Sequence, residues 1–330
     1  MPMADRQRRL GTSDLWVMPL GLGLMSLSGI YGASSDENGL KVIQRALDRG
    51  VNFLDSADMY GWGHNETLLG QALRGRRDQV IVATKFGQTR TDSGANGVNG
   101  HPDYVIQACE ASLKRLGLET IDLYYVHRID PHVPIEDTVG AMSRLVSQGK
   151  VREIGLCEAH PLTVRRAHQV HRLAAVQTEY SLLYRQEAEE TLRTTRELGI
   201  GFVAYSPLGR SLLTATIQSV DEVATDRRKD HPRFQATNFE HNRERVRQLE
   251  AMARAKECTP AQLALAWVLA QGQDVVAIPG TKTADRVDDN LAARQLTLSA
   301  EDLESLNQAF PTGAAAGSRY PAGGMQGVYL

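Results

Sequence analysis

IDLYYVHRIDPHVPIEDTVGAMSRLVSQGKVREIGLC, residues 121–157, decides the fold. It opens on an apolar run at 121–127, passes through an amphipathic stretch at 137–148 and returns to a second apolar run at 151–157. Strand, helix, strand in that order is a βαβ unit, and its two strands must lie parallel in one sheet. The pattern extends in both directions. Further strands are expected at 20–23 (LGLG), 51–55 (VNFLD), 80–85 (VIVATK), 174–177 (AAVQ), 200–205 (IGFVAY) and 274–278 (DVVAI). Between them, helices are expected at 37–49, 65–74, 102–116, 161–172, 187–198, 242–256 and 260–271. The last is announced by Thr259, Pro260 and Gln262, which fit an N-cap, a first-turn proline and a capping-box partner.

Eight parallel strands is the number a closed barrel requires. The expected fold class is therefore α/β, a (β/α)8 TIM barrel forming one domain over residues 1–330. RRLGTSDLWVMP at 8–19 reads as an N-terminal hairpin capping the barrel's bottom, and a helix at 300–309 leads into a Gly-rich C-terminal tail. The stretches 86–100 and 209–241 carry no regular pattern and are expected to be long rim loops that serve binding. With 42% hydrophobic and 23% charged residues the chain can bury a large core, which excludes disorder. A net charge of -2 gives no dominating field for nucleic acid or acidic lipid, so neither is an expected partner.

The longest apolar run, LALAWVLA at 263–270, is far short of the roughly 18 residues of a bilayer span. Gly11, Ser13 and Asp14 interrupt what a signal peptide needs after its charged start MPMADRQRRL, and the expectation is a cytoplasmic protein. Cys109, Cys157 and Cys258 are odd in number and widely spaced, as reduced thiols are. His168 and His171 lack a spaced third ligand, and no metal is expected. GLGLMS at 21–26 lacks the third glycine and the later acid of a dinucleotide fingerprint.

Polar residues stand where the strands end: Asp55, Lys85, His127, Cys157 with Glu158, Gln177, Tyr205 with Ser206, and Gly280 with Thr281. In a parallel barrel these ends form one rim, and active sites sit there. Asp55, Tyr60, Lys85 and His127 make a chemically coherent quartet. A phenol titrates near about 10, so proton transfer near neutrality calls for a nearby cation such as Lys85. That lysine in turn needs a counterion, which Asp55 can supply, and His127 can orient a reacting oxygen by hydrogen bonding.

NFLDSADMYG (52–61), NETLLGQAL (65–73), VIVATKFG (80–87), DLYYVHRID (122–130), GKVREIGLCEA (149–159), VQTEYSLL (176–183), VAYSPLGR (203–210) and IPGTKTADRVDDN (278–290) together resemble the aldo-keto reductase family. DRRKDHPRFQATNF at 226–239 further resembles a bacterial and plant branch that acts on varied aldehydes and ketones. The resemblance implies a barrel that binds NADPH or NADP+ across its rim and exchanges hydride directly with a small carbonyl or alcohol substrate. It implies catalytic roles for Tyr60 as general acid, Lys85 and Asp55 as its tuning pair, and His127 as the group that orients the carbonyl.

For the coenzyme it implies Tyr205 stacked on the nicotinamide, Gln177, Cys157 and Glu158 near the carboxamide, and Gly23, Met25 and Asp55 beside them. Ser206, Pro207, Leu208 and Gly209 would approach the pyrophosphate. Gly280, Thr281, Lys282, Arg286, Asp289 and Asn290 would surround the adenosine end, with the two cations on its phosphate. Tyr31, Trp62 and His127 would contact substrate. Monomers are usual in such a family. Cys157 departs from the family's usual serine, and a thiol is a weak hydrogen-bonding group. The potassium-channel beta subunits, regulatory proteins of the same fold, are the alternative; the short N-terminus and the 226–239 stretch weigh toward the enzyme.

Overall fold

In the computed structural model, which describes residues 7–90 and 96–330, the eight apolar runs form eight parallel strands. The first six residues and the centre of the 86–100 stretch lie outside the described residues. A hairpin of β1 (Arg8–Arg9) and β2 (Trp16–Val17) precedes the first barrel strand, β3 (Leu22–Gly23). Helix α1 (Asp36–Asp48) leads to β4 (Phe53–Asp55), and α2 (His64–Ala72) to β5 (Ile81–Phe86). A rim hairpin, β6 (Gln88–Arg90) and β7 (Asn96–Val98), is followed by α3 (Pro102–Leu116) and β8 (Ile121–Val126). Then come α4 (Ile135–Ser147), β9 (Val151–Cys157), α5 (Pro161–Val170), β10 (Ala175–Glu179), α6 (Gln186–Leu198) and β11 (Gly201–Tyr205). Helices α7 (Ala236–Ala255) and α8 (Pro260–Leu269) precede β12 (Val275–Ile278), and α9 (Ala284–Ala292), α10 (Ala300–Ala309) and α11 (Ala322–Met325) complete the chain.

The sheet runs β12-β11-β10-β9-β8-β5-β4-β3, and isolated parallel bridges Leu20 to Ala277 and Gly23 to Gly280 join its two edges. Inside the barrel Phe53, Ala83, Leu123, Val203 and Val276 pack together, and Leu10, Leu15 and Val17 of the hairpin close the bottom beneath them. Gly11, at φ +57, permits this closure, since a Cβ there would lie 2.5 Å from the Gly199 carbonyl oxygen. Outside the strands, apolar faces such as Val42, Ile43 and Ala46 of α1 fill the layer under the helices. Strands β4, β8, β10 and β12 are buried along their whole length, as parallel strands covered on both faces must be.

Two expectations are corrected. The 86–100 stretch carries a hairpin pairing Gln88 with Val98 and Arg90 with Asn96. The 209–241 stretch holds short 3-10 turns at 209–214, 220–223, 227–230 and 232–234, and α7 starts at Ala236 rather than near 242. Its anchors Leu212, Leu213, Ile217, Val223 and Phe234 are buried at irregular spacing, so the segment packs firmly without a helical or strand period. Among the described residues no helix is long and apolar enough to cross a membrane.

Two glycines should respond oppositely to alanine. At Gly155 a Cβ would meet the Ala175 carbonyl oxygen and the Tyr125 ring, each at 2.5 Å, so Gly155→Ala should cost the roughly 1–3 kcal/mol of an overpacked core. Gly140, inside α4, has nothing within 4 Å of that position, and Gly140→Ala should stabilise by up to about 1 kcal/mol through helix propensity. Urea denaturation midpoints of both variants against the parent check the signs.

Candidate active site

Strand register brings the quartet together. Asp55 ends β4, paired with Ala83, while Lys85 lies two residues further along β5 and pairs with Tyr125 of β8. Lys85 is fully buried; its Nζ donates to Asp55 Oδ1 and, at 2.7 Å, to the Ser56 carbonyl oxygen. The other carboxylate oxygen of Asp55 accepts from Gln177 Nε2 at 2.8 Å. The loop after β4 is held on both sides. Ser56 N donates to Ala83 O at 2.8 Å, Asp58 N to Lys85 O at 3.0 Å, and Asn65 of α2 accepts from Ser56 Oγ at 2.7 Å. This turn fixes Tyr60, whose ring has Lys85 Nζ 5.1 Å from its centroid and His127 edge-on at 5.7 Å.

The electrostatics leave neutral groups at the surface of a charged pair. Burial presses the Lys85 ammonium downward, but Asp55, Tyr60 and Cys157 outweigh it and hold it above its ordinary value. Burial pushes the Tyr60 phenol up to about 12, against the pull of Lys85. Burial, with Arg128 and Lys85 adding to it, holds His127 well below the usual histidine range. Its Nδ1 is buried and has no partner among the described residues. Burial likewise pushes the Cys157 thiol up, so it stays protonated.

A cavity of ≈ 320 Å³ extends from this centre along the strand ends. Gly23, Met25, Asp55, Tyr60, Gln177, Tyr205 to Leu208, Gly280, Thr281, Arg286, Asp289 and Asn290 line it, with Gly23 and Gly280 bridged side by side where the first and last barrel strands meet. Arg286, in the first turn of α9, is exposed and makes no hydrogen bond or ion pair among the described residues. Its neighbour Lys282 does not line the cavity; the ammonium donates to the Tyr31 carbonyl oxygen at 2.5 Å. Tyr31 does line it, beneath the Arg228 guanidinium at 5.3 Å, so these three residues meet from three separate loops beside the cavity. Trp62 stands at the rim, 46% exposed, in a left-handed turn at φ 52.

Of the other expected site residues, Lys85, His127, Trp62, Cys157, Glu158 and Gly209 fall outside the lining. Glu158 is committed elsewhere: its Oε1 accepts from Glu179 N at 2.9 Å and from Arg319 Nη1 at 2.8 Å. Arg319 comes from the C-terminal tail and is 2% exposed. Glu179, at the end of β10, gathers three guanidiniums, with Arg210 Nη2 at 2.9 Å, Arg233 Nη1 at 2.9 Å and Arg319 Nη1 at 4.0 Å. The next tail residue, Tyr320, meets the Tyr205 hydroxyl at 3.0 Å. Residue-by-residue reading missed Arg210, Thr259, Pro260 and Ala261 of the lining and the tail pair Arg319 and Tyr320. The capping box at Thr259 was visible in sequence, but its position beside the cavity depends on how α8 packs under β12.

Comparison with known proteins agrees with this geometry. The profile of the Aldo/keto reductase family matches residues 19–310. A protein of Glycine max described as probable aldo-keto reductase 1 is 47% identical over 315 residues, spanning 94% of this chain and 91% of its own. The glycerol dehydrogenase AKR11B4 of Gluconobacter oxydans superposes with a TM-score of 0.85 at 28% identity, over 93% of this chain and 95% of its own. The holo form of the aldo-keto reductase AKR11C1 of Bacillus halodurans gives 0.77 at 28% identity, over 94% and 97%.

Glu179 should dominate the acid sensitivity of the rim. Burial pushes its carboxyl up, but Arg210, Arg233 and Arg319 outweigh that and hold it at about 2, against an ordinary 4.5. A carboxyl depressed in the folded state contributes stability in full above its unfolded value, and this is lost as pH falls through the folded one. Glu179→Gln should cost the roughly 3–5 kcal/mol of a broken buried pair at neutral pH. The gap between parent and variant should narrow as pH falls from 4.5 toward 2, as followed by denaturation at a series of pH values.

Proposed function

The chain belongs to the aldo/keto reductase family, an oxidoreductase family acting on carbonyl compounds, and from that premise we propose that it is an NADPH-dependent reductase of aldehydes and ketones with Tyr60 as general acid. The observation that carries this reading is the buried Asp55–Lys85 pair against Tyr60 and His127, with Asp55 and Tyr60 lining the cavity at the strand ends.

The residues present suit a dinucleotide phosphate. The Tyr60 phenol lines the cavity with the His127 ring packed against it, and the same lining includes the unpaired Arg286 at the start of α9, where free backbone N–H groups also favour an anion. Gln177 and the Tyr205 ring would hold the nicotinamide, the turn from Ser206 to Gly209 the pyrophosphate, and Thr281, Arg286 and Asn290 the adenosine end. Lys282 and Arg228 stand just behind, carried by Tyr31. When bound, NADPH supplies the hydride.

The chain's own groups do the rest. Tyr60 holds its proton at the hydroxyl oxygen until a carbonyl oxygen takes it, as a phenol raised to about 12 must. Lys85 stabilises the phenolate left behind, because the ammonium lies over the ring and is kept charged by Asp55. His127, neutral, offers a hydrogen bond that orients the carbonyl without adding charge. Cys157, protonated and buried, fits a packing role beside the carboxamide, and no covalent intermediate is required.

Tyr60→Phe should lower kcat by at least the roughly 10²-fold expected for loss of a general acid while NADPH still binds. Steady-state rates beside a fluorescence titration of NADPH test this, and near-normal turnover would remove Tyr60 from the role. Arg286→Ala should weaken NADPH binding by roughly ten- to 150-fold, the value of one charge-assisted hydrogen bond, and leave NADH binding almost unchanged. Dissociation constants for both coenzymes decide it; equal weakening of the two would place Arg286 outside the phosphate site.

A further inference from the structure

The buried charges at the barrel mouth pair off, and one cation is left over. Lys85 is answered by Asp55. Arg210 and Arg233 are answered by Glu179, and Arg319 by Glu158, with Glu187 a further 3.7 Å contact. Arg128 has no carboxylate within 4.0 Å among the described residues, although it directly follows His127. Its Nη1 donates to the His127 carbonyl oxygen at 2.7 Å and its Nη2 reaches the Tyr320 hydroxyl at 3.4 Å. The guanidinium also lies 5.9 Å from the Tyr320 ring centroid, and with one donor on each Nη engaged, the remaining N–H groups of its five are unspent. The tail lies along its stem, since a Cβ at Gly327 would touch Arg128 Cδ at 3.9 Å, yet the side chain stays partly accessible.

The other buried arginines around the mouth are committed to side chains or carbonyls, Arg210, Arg233 and Arg319 to carboxylates and Arg243 to the Ile217 carbonyl oxygen and Gln218. Leaving a partly desolvated cation unpaired is costly. The charge also reaches the reaction centre, where it lowers His127 and acts on Tyr60. Resting on the reductase reading above, we propose that Arg128 is a specificity residue for carbonyl substrates that carry a carboxylate, received by the unspent part of its guanidinium fork while Tyr60 and His127 hold the carbonyl oxygen. A planar carboxylate matches that fork better than any neutral isostere.

The test compares 3- and 4-carboxybenzaldehyde with their neutral carboxamide isosteres, measuring kcat/KM with NADPH. The purified protein should favour at least one carboxylate over its carboxamide by roughly ten- to 150-fold, the range of a charge-assisted hydrogen bond. In Arg128→Gln that ratio should fall to near one, and Arg128→Lys should restore part of it. A parent ratio at or below one for both pairs overturns the proposal, and so does a ratio that survives Arg128→Gln. Should the variants fail to fold, the parent's ratios decide alone: a preference of roughly ten-fold or more for a carboxylate over its carboxamide supports the site, and ratios below that for both pairs overturn it. Absence of turnover on all four aldehydes, carboxamides included, would overturn the reductase reading and this inference with it.

Discussion

A lysine ammonium with no solvent exposure is tolerable only if an anion is fixed beside it, and the contact between Lys85 and Asp55 meets that condition. Much of the barrel's top layer follows from it. Asp55 must end β4 level with the residues before Lys85 on β5, so the register of the two strands is set by charge as well as by packing. Its second oxygen is taken by Gln177 from β10, which lies on the far side of β5, β8 and β9 in the sheet. One carboxylate therefore ties strands that are not neighbours, and that is possible only because the sheet curls into a barrel. Such a pair is a poor source of net stability, since desolvation offsets most of the Coulombic gain. Its persistence fits a role in tuning Tyr60 better than a role in holding the fold.

The rim around the pair is built at a conformational cost. Trp62, Glu158, Ser206, Arg210 and Ser211 all adopt positive φ without being glycine, and all lie just beyond barrel strands. Residues held in that region cost of order 1–3 kcal/mol each and persist where the surroundings over-determine them. Here the surroundings are visible. Arg210 is held by two bonds to Glu179, and Glu158 by Arg319 and the Glu179 amide. The buried ion network thus fixes strained backbone at the places where the chain turns away from the cavity. The tail is part of this device, because Arg319 and Tyr320 reach the ends of β9, β10 and β11 at once.

What could be read from sequence divides along a physical line. Strand and helix positions, the bottom hairpin and the quartet were legible because each rests on local periodicity or on a polar residue at a strand end, and the structure follows them closely. Segment 209–234 was not, because its buried anchors keep no period and its turns are held by side chains from elsewhere, Arg243 of α7 to the Ile217 carbonyl oxygen among them. The partner of Glu158 was equally invisible. Arg319 is 161 residues away, and neither residue carries a local mark of the other. Sequence placed Glu158 at the right strand end, and the resemblance put it near the carboxamide, whereas its carboxylate turns sideways to the tail.

That sideways turn changes the balance of charge at the reaction centre. A free carboxylate on Glu158 would add an anion near Cys157 and Tyr205, the groups on which its charge acts. Paired with Arg319 that charge is answered, and one of its oxygens accepts from both Arg319 and the Glu179 amide. Cys157, the residue before it, contributes a thiol held protonated by burial and therefore adds no charge either. Around Tyr60 this leaves a neutral phenol and imidazole, an internally balanced ion pair and the Arg128 guanidinium, a setting whose sign would favour an oxygen anion under the proposed function. The tail thereby acts on the barrel mouth in two ways, by contact through Tyr320 on Tyr205 and by charge through Arg319 on Glu158.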